Sequence, residues 1–122
     1  MTATILIADD EPNILISLEF LMKREGYQVL LARDGQEALD AIHTHRPDLV
    51  LLDVMMPQKT GFEVCQEVRA SPVIQDTRIL MLTAKGRDTD VAKGLAIGVN
   101  AYMTKPFSTR ELVDKVREML RG

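Results

Sequence analysis

Residues 48–53 read DLVLLD, four apolar residues, Leu49-Val50-Leu51-Leu52, between two aspartates. A strand with one wet face would alternate apolar and polar positions, and this one does not. An unbroken apolar run of this length suits a strand of a parallel sheet covered on both faces. Helices must then lie on both sides, so the flanking sequence has to supply further strands with helices between them. Apolar runs at Thr4–Ala8, Gln28–Ala32, Ile79–Leu82 and Ala101–Met103 join Leu49–Leu52 to make five candidate strands.

The intervening segments carry helical spacing. In STRELVDKVREML, residues 108–120, Leu112, Val113, Val116, Met119 and Leu120 share one face, with Arg110, Asp114, Arg117 and Glu118 opposite. Ser108 and Glu111 have the spacing of a capping box, as do Thr60 with Glu63 and Asp34 with Glu37. Pro12 suits the first turn of a helix that runs to about Arg24 and stops at Gly26. A fourth helix spans Asp88 to Ile97 and ends at Gly98. The order is β-α five times, an α/β doubly wound sandwich built on a five-stranded parallel sheet. Short turn signals punctuate the whole of residues 1–122, with no linker, repeat or low-complexity tract, so a single domain is expected.

Composition narrows the function classes. The formal charge of −3 and a pI near 5.3 argue against direct nucleic-acid binding. No apolar stretch approaches the roughly 18 residues of a membrane span, and the N-terminus lacks the features of a signal peptide. One cysteine, Cys65, excludes an internal disulfide and fits a reducing, cytoplasmic setting. Two Tyr, three Phe and no Trp leave little for base stacking or aromatic cages.

In parallel sheets, ligands gather outside the carboxyl ends of the strands. The first strand ends in Asp9-Asp10-Glu11, the third in Asp53, the fourth in Thr83-Ala84 and the fifth in Thr104-Lys105-Pro106. The second ends in Arg33-Asp34-Gly35, which reads as a turn and helix cap. If strands one, three, four and five are neighbours, three carboxylates, one hydroxyl and one ammonium converge. Three carboxylates without a cation are frustrated: a pKa has to rise or a metal has to bind. With only oxygen ligands on offer, a hard divalent ion is indicated, and Mg²⁺ is favoured because it combines one or two carboxylates with water and phosphate oxygens. Lys105 supplies a point charge for a phosphoryl oxygen and Thr83 a donor. Asp53, nearest the middle, is a candidate nucleophile, since aspartate forms an acyl phosphate. Glu11 reads as an ordinary first-turn acid.

These residues resemble the receiver domain of two-component response regulators, the CheY-like superfamily, over nearly the whole chain. ADDE after the first strand, LLDVMMPQKTG around Asp53, MLTA at the fourth strand and YMTKPF at the fifth carry the resemblance. It implies the strand order 2-1-3-4-5. It implies that Asp53 accepts a phosphoryl group from a sensor histidine kinase or phosphotransfer protein. Asp10, Asp53 and the Met55 backbone carbonyl would ligate Mg²⁺ directly, with Asp9 acting through water. Lys105 would contact the phosphoryl group, Thr83 would bond to it after transfer, and Tyr102 would be the aromatic switch. Pro106 matches the position preceded by a cis peptide, and Pro57 and Gly61 would shape the loop after Asp53. Met55 and Lys85 flank the pocket, where they would modulate water entry. The protein would be a phosphorylation substrate and switch, able to catalyse its own phosphorylation and dephosphorylation, that alters its α4–β5–α5 face to control an output partner or fused domain.

Other readings exist for the same residues. A phosphatase of the haloacid-dehalogenase type also combines an Asp nucleophile, Mg²⁺, Thr and Lys, but such enzymes carry a second Asp two positions on, where this chain has Met55. A degenerate receiver serving as a scaffold is disfavoured because no acidic, Thr or Lys position is lost. The charge pattern that pairs winged-helix transcription factors through α4–β5–α5 is largely missing, its positions holding Val91, Asn100, Ala101 and Lys115. With the sequence stopping at Leu120-Arg121-Gly122, that favours a stand-alone regulator or another output class. His43 and His45 read as partners of a helix C-terminus, Cys65 as core, and the seven methionines as core filling.

Overall fold

The computed structural model describes residues 2–84 and 88–121. Strands β1 (Thr4–Ala8), β2 (Gln28–Ala32), β3 (Leu49–Asp53), β4 (Arg78–Ala84) and β5 (Ala101–Lys105) alternate with helices α1 (Pro12–Arg24), α2 (Gly35–His45), α3 (Gly61–Ala70), α4 (Asp88–Ile97) and α5 (Thr109–Arg121). All neighbouring strands are parallel, and the sheet order is β2-β1-β3-β4-β5.

The unbroken apolar run of β3 has a simple cause. Its alternate residues enter two separate cores. Val50 and Leu52 face α2 and α3, in a cluster with Leu6, Ala8, Ile42, Val64, Cys65, Val68 and Met81. Leu49 and Leu51 face α1 and α5, with Ile5, Ile7, Leu18, Met22, Leu80, Leu82, Leu112 and Val116. With β3 central and both faces roofed, no position along Leu49–Leu52 can be polar. The edge strands β2 and β5 are less buried.

Three strands outlast their apolar runs. The β3 ladder continues through Asp53, paired with Leu82, while Thr83 pairs with Thr104 and Ala84 with Lys105. Backbone ladders are indifferent to side-chain polarity, so the apolar runs stop short of the strand ends, and Asp53 and Thr83 are buried although polar. The extension carries the polar residues to the carboxyl edge of the sheet on ladder-bonded backbone.

Helix ends follow local chemistry. Thr60 and Glu63 form a complete capping box, Thr60 Oγ accepting the Glu63 N–H and Glu63 accepting the Thr60 N–H. The Ser108 hydroxyl likewise accepts the Glu111 N–H. Asp34 accepts the Glu37 N–H, but the Glu37 carboxylate bonds to the N–H of Arg33 and not of Asp34, so this box is displaced by one residue. Gly26 and Gly98 take left-handed φ values of 93° and 116° after α1 and α4, where a Cβ would be strained. His43 and His45 lie in the last turn of α2 and are exposed, as a helix C-terminus permits. Methionines 22, 56 and 81 fill the core, but Met55 does not: its side chain is 58% exposed, because Val54 and Met56 take the buried positions on either side. Met1 and Lys85 lie outside the described residues.

One side chain fastens α4 to the rest. From α3, the Arg69 guanidinium donates to the carbonyls of Gly98 (2.8 Å), Gln75 (2.7 Å) and Thr77 (2.7 Å) and to Asn100 Oδ1 (2.8 Å). Asn100 Oδ1 also accepts the Ile79 N–H. The end of α4 is thereby tied to α3 and to the start of β4. Replacing Arg69 with Met should cost about 2–4 kcal/mol, since several acceptors lose a charged donor at once. Arg69→Lys should restore only part of it, because an ammonium cannot span the same fork. Urea denaturation of both variants measures this, and equal stability of Arg69→Met and wild type would remove the clamp from the account.

Candidate phosphoacceptor and metal site

Sheet order decides what meets at the carboxyl edge. With β1 between β2 and β3, and β4 beyond β3, Asp9 and Asp10 follow the strand next to Asp53. One carboxylate oxygen from each of Asp9, Asp10 and Asp53 lies within 4.8 Å of the others. Lys105, at the end of β5, reaches over β4 to place Nζ 3.2 Å from Asp9 Oδ2 and 3.3 Å from Asp53 Oδ1. Asp10, Glu11, Asp53, Val54, Met55, Ala84 and Lys105 line a cleft of about 310 Å³. A larger cavity of about 530 Å³ lies at the opposite end of the sheet, between Asp48, Arg46 and Arg78, where charges of both signs mix and, among the described residues, no acidic cluster forms. Chemistry outweighs size in assigning the site.

The three acids are not equivalent. Asp9 is wholly buried, and both its oxygens are engaged, Oδ1 by the Glu11 N–H at 2.9 Å and Oδ2 by Lys105. Asp10 is exposed at the cleft. Asp53 is nearly buried, and burial pushes its carboxyl up from the usual 3.8 to about 6. Lys105 works against that shift, while Asp9 and Asp10 add to it. For Lys105, burial opposes the ammonium, but Asp53 and Asp9 outweigh it and hold its pKa above the ordinary lysine value. Among the described residues, one ammonium faces three carboxylates, which leaves the cluster short of positive charge. The donors are all oxygens, with no His or Cys among them, and this set fits a hard divalent cation that keeps part of its water shell.

Two expected participants stand apart. Thr83 is buried one ladder position beyond Leu82, the partner of Asp53, and its hydroxyl donates to the Ala84 carbonyl at 3.1 Å. Tyr102 is on the edge strand and 43% exposed, so it is not a core residue. The Lys105–Pro106 peptide is cis. The loop 54–60 closes through a hydrogen bond from the Gly61 N–H to the Val54 carbonyl at 2.8 Å. A Cβ on Gly61 would run into the Asp53 carbonyl oxygen, so glycine permits that approach.

A family model, response regulator receiver domain, matches residues 5–117. The chain belongs to this family. Its fold is similar to that of a protein described as a response regulator from Chloroflexus aurantiacus, at 37% identity and TM-score 0.95 over the whole of both chains. It is also similar to a chemotaxis response regulator of Vibrio cholerae, at 33% identity and TM-score 0.91, covering 98% of this chain and 99% of that one. A third likeness is the receiver domain of a sensor histidine kinase of Pseudomonas aeruginosa, at 29% identity and TM-score 0.91 over the whole of both chains. That protein was solved with a magnesium ion coordinated in its active-site cleft. Receiver domains are phosphoacceptor switches of two-component systems rather than conventional enzymes, and they interact with histidine kinases or phosphotransfer proteins. Among the described residues of this one, no helix is long and apolar enough to cross a membrane.

The raised pKa of Asp53 makes a prediction about the metal-free receiver. A carboxyl whose folded pKa exceeds its unfolded value supports folding below the unfolded pKa, and that support is lost as pH rises through the folded one. Between about pH 4 and pH 6, wild type should therefore lose stability that Asp53→Asn keeps. Above pH 7 the variant should be more stable by on the order of 1–3 kcal/mol. Urea unfolding in a chelator across this range measures the difference. A gap that does not change with pH would show that the Asp53 charge is not frustrated.

Proposed function

We propose that Asp53 is the phosphoacceptor of this receiver and that a histidine kinase or phosphotransfer protein supplies the phosphoryl group in a Mg²⁺-dependent reaction. The observation that carries this reading is one nearly buried carboxylate at the centre of the carboxyl edge, beside two further acids and one ammonium. An Asp53 oxygen attacks phosphorus, the P–N bond to the donor imidazole breaks, and its electron pair leaves with the ring nitrogen. Asp10, Asp53 and the Met55 carbonyl would hold Mg²⁺, with Asp9 acting through water because both its oxygens are already engaged. The ion supplies charge neutralisation for the phosphoryl oxygens.

Lys105, between Asp9 and Asp53 beforehand, contacts the transferred group from the opposite side. Thr83 exchanges the Ala84 carbonyl for a phosphoryl oxygen, and the space it vacates admits Tyr102 from its exposed position. The readout is a changed α4–β5–α5 face, where Tyr102 and Leu95 are now exposed. The added charge of about −1.5 to −2, by analogy with other phosphoresidues, biases that face between two arrangements.

Incubation with Mg²⁺ and acetyl phosphate should add about 80 Da, one phosphoryl group, to wild type and nothing to Asp53→Asn. Thr83→Ala should accept the group while the Tyr102 ring resonances stay at their unphosphorylated positions. No adduct from acetyl phosphate or from a histidine kinase would sink the reading. Rapid turnover of varied phosphoesters would replace it with a phosphatase of the haloacid-dehalogenase type.

A further inference from the structure

The turn after β2 contributes no charged group to the cleft, and in sequence it is only a helix cap. In the fold it makes a second contact. Gly35, the first residue of α2, is buried, and its N–H donates to the Pro57 carbonyl oxygen at 3.2 Å. The Lys59 N–H donates to the same oxygen at 2.8 Å. A Cβ built on Gly35 would overlap the Lys59 carbonyl oxygen and lie 2.6 Å from the Lys59 carbonyl carbon and Cβ. The obstacle is backbone, so a side chain at position 35 cannot be accommodated by a rotamer change.

The loop 54–60 is therefore gripped at two points. Gly61 holds it at Val54 and Gly35 holds it at Pro57, with Met55 and Met56 strung between. Gln58 completes the tight path at φ 70°. Met56 is anchored in the core, while the Met55 side chain points outward.

We propose that Gly35 is a positioning residue for the phosphorylation loop: the absence of a side chain there sets how deeply residues 54–60 sit, and so where the Met55 carbonyl stands relative to Asp10 and Asp53. The inference rests on the Mg²⁺ reading above for the role of Met55, and on geometry alone for the loop. Groups bonded to a metal's ligands alter its affinity by about 10–100-fold without touching the metal, and Gly35 would act one step further out, through the loop that carries the Met55 carbonyl.

Backbone amide spectra of wild type, Gly35→Ala and His43→Gln test it. His43→Gln changes an exposed position of the same helix, outside the core cluster that Val54 and Met56 share. Without metal, Gly35→Ala should move the amides of residues 54–60, and titration with Mg²⁺ should then show a dissociation constant at least about tenfold above wild type. His43→Gln should match wild type in both. Shifts confined to residues 33–38, or wild-type Mg²⁺ affinity in Gly35→Ala, would overturn the proposal. If Gly35→Ala does not fold, hydrogen exchange of the Gly35 amide in wild type decides. Saturating Mg²⁺ should slow it several-fold, by the reciprocity of linked equilibria, and unchanged exchange would overturn the proposal. Wild type that takes up neither Mg²⁺ nor a phosphoryl group would instead remove the phosphoacceptor reading, and the metal-free spectra would still decide the loop contact.

Discussion

Three carboxylates with an oxygen each within 4.8 Å of the others, and the Lys105 ammonium against two of them, are the constraint around which this receiver is arranged. Left to themselves, such groups would separate or protonate. They do neither freely, because each sits at the end of a strand whose hydrogen-bonded ladder and two-sided core fix its position. The stability of the sheet is what keeps the acids together. Relief has to come from outside, as a cation or a change of charge on Asp53, and that makes the cluster responsive.

The supports around the cluster divide into fixed and adjustable parts. Asp9 is locked by the Glu11 N–H and by burial, and Gly61 lies flat on the Asp53 carbonyl. Arg69 fastens the end of α4. Against this frame, the Thr83 hydroxyl is bonded, among the described residues, to the next carbonyl along its own strand, and Tyr102 stands exposed on the edge strand. Under the proposed switch, a site built this way would pass a local electrostatic event to one face while the rest of the fold stays put. Lys93 over the Phe62 ring, 4.6 Å from its centroid, adds a contact between α4 and the start of α3, which follows the loop 54–60.

Much of this was legible before folding. The apolar run Leu49–Leu52 announced a doubly covered strand, and Pro12, Thr60, Ser108, Gly26 and Gly98 marked helix ends by local chemistry that needs no tertiary context. The site residues stood out because acids and a lysine are costly at the ends of core strands unless something compensates. Less was legible where backbone rather than side chain decides. Strand ends at Asp53, Ala84 and Lys105 passed beyond the apolar runs, since ladder bonds ignore polarity. The Asp34–Glu37 box slipped to Arg33, and Met55 turned outward against the expectation of core filling.

By itself, then, the sequence determined the class of fold, the helix caps and the list of chemically unusual residues, because hydrophobic period and capping act within a few residues of one another. Tertiary structure alone decided which acid is buried and which is exposed, that Lys105 bridges Asp9 and Asp53, and that Gly35 lies against the backbone of Lys59. Those facts depend on which strands are neighbours and how closely two loops approach. Nothing in a linear pattern reports the distance between residues 35 and 59, since that distance is set by the packing of α2 and α3 on a common face of the sheet.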